Sequence, residues 1–532
     1  MHAKQSHEQR GARQTAVDSS LLASPPVVSN RIGPDDIRYA DLIRKQFNKR
    51  TLGRPDYVRL VGSSEEVVEA TEEAVRENLR VVARSGGHGL EGFVSDPAVR
   101  VIIDTSLMTG VYYDAKMCAF AVEAGVTLGE VYRKLFLGWG VTIPAGESPD
   151  IGVGGHILGG AFGFLCRQHG LAADHLYGVE VIVVDEAGKA RRVVATREAA
   201  DPNRELWWAH TGGGGGNFGI VTRYWLRSPG ALGTDPTLLL PKAPDQVVTF
   251  KAEWDWKQID QSAFTTLVRN YGDWCERNSR ADLLSAQLFS VLSLGRPSHG
   301  SITVRGVVTA GGASEQLFEE HLAAIHQGVA SPHTREVGRS TWLTFALNPF
   351  PDLFAIGPGG VGASQALFKI KDAFLRRRHD DRQIAVMYDY LTRKHPDVTG
   401  GMLGLATYGG RVNSVAPDAT ASAQRQATMT TSYQVGWTKP VEEPESLTWV
   451  RSLYRDIFAD TGGVPVPSAA SDGAFINHPD SDLADPEWNR SGLSWAHLYY
   501  KENYPRLQAV KARWDPGNVF RHALSIELPE PG

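Results

Sequence analysis

Cysteine is nearly missing from this chain: Cys118, Cys166 and Cys275 are the only three in 532 residues, and they stand far apart. That excludes a disulfide framework and any cysteine-ligated metal centre, and no metal is expected. A dominant charge is missing too. With 55 Lys and Arg against 60 Asp and Glu, the net charge is −5. Such a balance offers no basic face for nucleic acid. No apolar run is long enough to span a membrane. The first thirty or so residues are polar, without the apolar core of a signal peptide. These absences predict a soluble cytoplasmic protein, with a disordered N-terminal extension over 1–33.

What the chain does have is glycine: 55 residues, clustered rather than spread. "DYVRLVG" alternates like a strand, and Ser63-Ser64 caps the helix that follows. The strands "RVVARS", "RVIID" and "AFAVEAG" come next. Thr127-Leu-Gly-Glu130 then reads as a capping box opening a helix with Val131, Leu135 and Phe136. Residues 34–228 are therefore α+β, with glycine-rich loops at strand ends: 86–89, 152–160 and 212–219. From 229 to 495 the texture changes to an antiparallel sheet backed by helices. Its strands include "LLSAQLFSVLSL", "SITVRGVVTA", "GMLGLATYGG" and "TTSYQVGW", and one helix runs through Leu317, Phe318, Leu322 and Ile325 to Gly328. Residues 496–532 supply a helix, an Asp-Pro-Gly-Asn turn and a short strand.

Glycine in such numbers costs conformational entropy, so close approach of a ligand to the main chain must offset it. The loops are not a P-loop, because no Lys-Ser or Lys-Thr follows the last glycine. They are not a Rossmann fingerprint either, since position 157 holds Ile157 where a glycine is required. Successive amides in glycine-rich turns form anion-binding concavities without side-chain charge, which suits a dinucleotide pyrophosphate.

Four segments in order, "RSGGHG" (84–89), "GVGGHILGG" (152–160), "WWAHTGGGGGNFGIVT" (207–222) and "NYPRLQAVKARWDPGNVFRHALSI", resemble the berberine-bridge-enzyme-like flavin oxidases. These share the vanillyl-alcohol-oxidase/p-cresol-methylhydroxylase FAD fold, and the likeness leans toward actinobacterial hexose oxidases of glycopeptide antibiotics. The resemblance implies a two-part FAD-binding domain, 34–228 and 496–532, around a substrate domain, 229–495. It implies FAD held by Arg84, Ser85, Gly86, Gly87, Gly89, Ser148, Ile151, Gly152, Gly154, Gly155, His156 and Gly159. Asn217, Gly219 and Val221 would line the adenosine side. His88 matches the histidine that bonds to the flavin, and a neutral imidazole is nucleophilic enough to do so. His156 matches a histidine beside the ring, where it would steady negative charge.

The sequence departs from that family in its reactive side chains. Ser148 stands where many relatives carry a second flavin link through cysteine, and a hydroxyl is a far weaker nucleophile than a thiolate. Cys166 falls outside that motif, so a single link through His88 is expected. Phe162 in "GGAFG" and Phe475 in "AFINHPD" replace tyrosines, and neither can exchange a proton. His478 becomes the best candidate base, beside Asn477, with His175 and Tyr433 as weaker candidates. Tyr408, Arg411, Tyr433 and Trp437, with Phe162, Phe475 and Asn413, are expected around the substrate, whereas Tyr499 and Tyr500 are expected to pack.

The resulting expectation is an FAD-linked oxidoreductase that takes hydride from a C–OH or C–NH group of a sugar or natural product. O2 would reoxidise the flavin, in antibiotic or secondary-metabolite biosynthesis. The lost tyrosines keep a second reading open: a flavin-containing cyclase, lyase or isomerase without net redox.

Overall fold

The apolar runs near the start of the chain become a small sheet in the computed structural model. The structure describes residues 31–350, 366–392 and 400–530 together with Gly357, Gly362 and Val398. Strand β1 (Arg31–Ile32) pairs antiparallel with β2 (Tyr57–Leu60), while β3 (Val81–Arg84) and β2 both pair parallel with β4 (Val101–Asp104), giving the order β1-β2-β4-β3. Arg31 and Ile32 therefore belong to a sheet and not to the extension expected over 1–33, whose first thirty residues lie outside the described ones. Ser63 Oγ accepts from the Glu66 amide at 3.2 Å and starts the helix Ser64–Arg76. Val67, Ala70 and Ala74 are fully buried at helical spacing and lay that helix on the sheet.

Parallel strands β3 and β4 end together, with Arg84 opposite Asp104. Arg84 Nε lies 2.7 Å from Asp104 Oδ2, and Lys45 Nζ lies 3.1 Å from Asp104 Oδ1. Burial alone would raise the Asp104 pKa, but the two cations override it and hold the carboxyl below its ordinary value. The clamp fixes where the 85–89 loop leaves the sheet.

A second, antiparallel sheet has the order β5-β6-β9-β7-β8, from β5 (Val111–Asp114), β6 (Ala119–Glu123), β7 (Leu176–Val184), β8 (Ala190–Thr196) and β9 (Ile220–Leu226). The helix Leu128–Trp139 follows β6, yet the expected capping box does not form: the Thr127 side chain makes no cap bond. The Leu128 and Gly129 amides instead donate to the carbonyls of Ile151 and Pro149, both at 2.9 Å. A tertiary turn thus satisfies the orphan donors that a cap would otherwise serve.

The third sheet is antiparallel and eight-stranded. It contains β10 (Val247–Asp255), β11 (Leu288–Gly295), β12 (Ser301–Val308), β13 (Thr334–Ser340), β14 (Leu367–Leu375), β15 (Met402–Thr407), β16 (Met429–Trp437) and β17 (Ser471–Gly473). Their order is β13-β10-β12-β11-β15-β16-β14-β17. Helices Gln261–Arg277, Ser314–Ile325, Asp381–Thr392 and Glu443–Ile457 form a layer against it. Alternation along β16 sends Tyr433 to that layer, where its ring lies 5.3 Å from Tyr454, and leaves Thr430, Ser432 and Gln434 for the opposite face.

The helix Tyr504–Trp514 returns to the first part of the chain and packs on Arg204–Ala209. Lys511 Nζ, fully buried, donates to the Asn217 carbonyl at 2.8 Å and the Phe520 carbonyl at 2.6 Å. The short strand expected after it is absent; residues 521–530 run as turn and coil, with the Ile526 amide on Asn217 Oδ1 at 2.8 Å. No helix among the described residues is long and apolar enough to cross a membrane.

Candidate functional site

A cavity of about 440 Å³ lies between the glycine loops and the free face of the eight-stranded sheet. On the loop side, Ser85–Gly89, Gly152, Gly154–His156, Gly214–Gly216, Gly219–Val221 and Phe520–His522 line it. Opposite them stand Ser293 of β11, Asp372 of β14, Gly404 of β15, and Thr430, Ser432 and Gln434 of β16.

The two histidine-bearing loops touch main chain to main chain. A Cβ on Gly86 would fall 2.4 Å from the Gly152 nitrogen, and one on Gly152 would fall 2.1 Å from the Gly86 nitrogen. Ser85 Oγ ties the contact down by donating to the Ala124 carbonyl at 2.6 Å. At Gly155, by contrast, a Cβ would meet nothing within 4 Å, because that residue faces the open cavity.

His88 lies in the cavity wall with its ring stacked on Phe47, centroids 4.1 Å apart. Burial pushes its pKa down to about 4, the charge of Asp150 opposing that shift, so the imidazole is neutral at pH 7. Burial, with the charges of His88 and His478, lowers His156 further, to about 3. His156 Nε2 accepts from the Gly146 amide at 2.9 Å, which assigns the ring proton to Nδ1.

The opposite wall carries a second group of titrating side chains. His478 Nδ1 lies 3.3 Å from Asp372 Oδ2, near enough for an ion pair once the ring is protonated. The two atoms miss hydrogen-bond alignment. Asp372 is buried, and burial raises its pKa, partly countered by His478. Phe162 and Phe475 flank the imidazole, with ring centroids 6.1 and 5.9 Å away. Glu147, on the loop side, also lines the cavity; burial raises its pKa to about 7 against the opposing charge of His478.

A buried ion network holds the histidine segments in place. Lys369 Nζ pairs with Glu91, just beyond His88, and lies 2.8 Å from Asp480, just beyond His478. Lys371 Nζ and Arg451 Nη2 meet Asp482 at 2.8 and 2.7 Å.

The residues 55–193 match the family model described as FAD binding domain, and 474–527 match the one described as berberine and berberine like. The aclacinomycin-N/aclacinomycin-A oxidase of Streptomyces galilaeus is 49% identical, over 93% of this chain and 89% of its own length. The chain belongs to the berberine-bridge-enzyme-like FAD-linked oxidoreductases. The hexose oxidase of Chondrus crispus is 30% identical, covering 91% of this chain and 92% of the relative. A crystal structure of a glycopeptide hexose oxidase complexed with teicoplanin superposes with a TM-score of 0.89. It is 48% identical and covers 95% of this chain and 100% of that one.

FAD is the cofactor of this family, and the cavity fits it. A wall of main chain without side chains admits close approach of a pyrophosphate, and the neutral rings of His88 and His156 face the same space. Ser85–Gly89, Ser148, Ile151, Gly152, Gly154, Gly155, Gly219 and Val221 all line the cavity. Arg84 lines it too, but its Nε and Nη1 are engaged by Asp104 and the Leu42 carbonyl, so it braces the loop.

Several expected site residues lie elsewhere. Asn217 is buried, its amide bound to the Gly213 and Gly214 carbonyls and to Ile526, where it shapes the 213–217 turn. Gly159 makes room for Asn477: a Cβ there would lie 1.9 Å from Asn477 Oδ1. Asn477 lines the cavity and donates to the His156 carbonyl at 2.8 Å. Tyr433 and Trp437 sit in the helix-packed core, Tyr408 behind Phe162 and Phe475, and Arg411 on the surface. Asn413 donates to the Ala427 carbonyl. His175 is satisfied by Ser228 and the His169 carbonyl, both at 2.9 Å. Burial pushes the Cys166 thiol up to about 12, which leaves it inert. Tyr499 and Tyr500 pack, their hydroxyls on the Asp480 amide and the Gly213 carbonyl.

Sequence reasoning missed Glu147, Asp372, Thr430, Ser432 and Gln434. Period-two alternation along β14 and β16 was the signal for the last four, and it would have given the cavity to the small polar residues.

Proposed function

We propose that this protein oxidises a C–OH or C–NH group on a sugar or similar polar part of a natural product, with O2 as the final acceptor. The reading rests on one observation above the rest: His478 faces the cavity with Asp372 behind its Nδ1 and, among the described residues, no phenol in the cavity wall. When bound, FAD supplies the two-electron acceptor, taking hydrogen from the substrate carbon and delivering the electrons to O2 as hydrogen peroxide. His478 Nε2 takes the hydroxyl proton, and Asp372 steadies the imidazolium that forms. Thr430, Ser432 and Gln434 offer the hydroxyls and amide that a sugar's polar edge needs, while Phe162 and Phe475 keep water from the base. Neutral His88 is the residue that carries the flavin, through a single bond, because Ser148 has no nucleophile to add a second.

The experiment is acid precipitation followed by a peroxide screen with sugars and glycosylated natural products. Yellow should stay in the pellet and move to the supernatant in His88→Ala. His478→Ala should retain its colour and lose about 10²–10⁴-fold in the rate of flavin bleaching. The replacement of both phenols by Phe162 and Phe475 favours one other outcome, conversion of substrate without peroxide, as a cyclase, lyase or isomerase would give.

A further inference from the structure

Glu147 is a carboxyl that nothing in the described structure employs. It follows Gly146, whose amide fixes His156, and it precedes Ser148 in the cavity wall. No described residue gives its side chain a hydrogen bond, and the residue lines the cavity. A carboxyl held in that way has no structural partner to explain it.

The groups around it are few. His478 faces it from the opposite wall, with Asp372 behind; the Tyr132 hydroxyl is spent on the Gly146 carbonyl at 2.7 Å, and Cys166 lies beyond. His156 stays neutral beside the same loop. Lys45 and Arg84 are committed to Asp104, so neither pairs with Glu147. Glu147 is thus an acid–base group with an open face, in a cavity whose Phe162 and Phe475 cannot exchange protons.

We propose that Glu147 is the final acceptor of the proton that His478 removes from the substrate, a second catalytic acid–base residue of this cavity. The proposal rests on the oxidoreductase reading above. The substrate O–H bond breaks and an N–H bond forms on His478 Nε2. That proton then passes to the Glu147 carboxylate as an O–H bond, directly or across a water, while the two electrons leave with the carbon-bound hydrogen to FAD. His478 returns to its neutral form, and Glu147 gives its proton to solvent when product departs. The cavity regains its starting charge when O2 carries off the two electrons and takes up a proton to become hydrogen peroxide. A carboxyl poised near pH 7 suits the task, since it can both take and return a proton at working pH.

Infrared difference spectroscopy on the holoenzyme tests this without any substrate. On electrochemical reduction of the flavin at pH 7.5, the wild type should gain the carbonyl band of a protonated carboxylic acid. The band should vanish in Glu147→Gln, persist in Asp372→Asn and return, shifted, in Glu147→Asp. In the oxidised holoenzyme the same band should titrate with a midpoint near pH 7. No gain on reduction, or a gain that survives Glu147→Gln, would overturn the proposal. A holoenzyme that shows the band but is bleached by no sugar or alcohol would instead overturn the oxidoreductase reading.

Discussion

Gly152→Ala should open the flavin site by forcing two closely apposed loops apart. The new Cβ would lie 2.1 Å from the Gly86 nitrogen and 2.4 Å from Ser85 Oγ. Ordinary van der Waals contact begins near 3.4 Å, so the loops must part by 3.4 − 2.1, or 1.3 Å, against the nitrogen. The Gly86 face is backbone and the Ser85 hydroxyl is held by its bond to the Ala124 carbonyl, so no free rotamer change absorbs the displacement. Overpacking of that kind costs about 3 kcal/mol, at the upper end of the usual range. If only apposed loops bind FAD, the apparent Kd rises in inverse proportion to the fraction that stays apposed, about 100-fold. The assay is fluorescence titration of FAD into apoprotein in a His88→Ala background, where no covalent bond can trap the cofactor. Gly138→Ala, whose Cβ would meet nothing within 4 Å, is the control and should leave the Kd unchanged. A Gly152→Ala protein that binds FAD within threefold of its parent would refute the claim that this contact builds the site.

Asp104→Asn leaves the buried Arg84 guanidinium without its counter-charge, and should lower stability by about 3–5 kcal/mol, read as a fall in Tm. Because the folded carboxyl is held below its ordinary pKa, the wild-type pair stabilises above the unfolded carboxylate pKa. That contribution disappears as pH falls through the folded one, and Asp104→Asn should flatten this acid limb. Trp437→Ala should cost about 3–5 kcal/mol by emptying the helix-packed core. It should leave the flavin spectrum and KM unchanged; a changed KM would return Trp437 to the substrate wall.

The glycine loops were legible because their chemistry lies in what is absent: a run without side chains at strand ends points to a ligand wherever it occurs. The Arg84–Asp104 clamp was not, since it depends on two parallel strands ending level, a fact of register between distant segments. Tyr433 and Trp437 misled for a related reason. Aromatic residues suit both sugar faces and cores, and only the pleat decides which; here it turned them to the helices and left Ser432 and Gln434 to the cavity. Glu147 stood in plain view beside Ser148, but nothing in a sequence distinguishes a carboxyl in a cavity wall from a solvated one.

The ion network that joins Glu91, Lys369, Lys371, Asp480, Asp482 and Arg451 bears on how this scaffold can be recombined. Exchanging the eight-stranded sheet with that of a relative, to change what is bound, cuts across a seam of buried charge. A graft that brings a new β14 while leaving Glu91 behind strands a carboxylate next to His88. One that takes β14 without the 480–482 segment strands two lysines beneath His478. Working chimeras of this scaffold will be those whose crossover points keep these six residues from one parent.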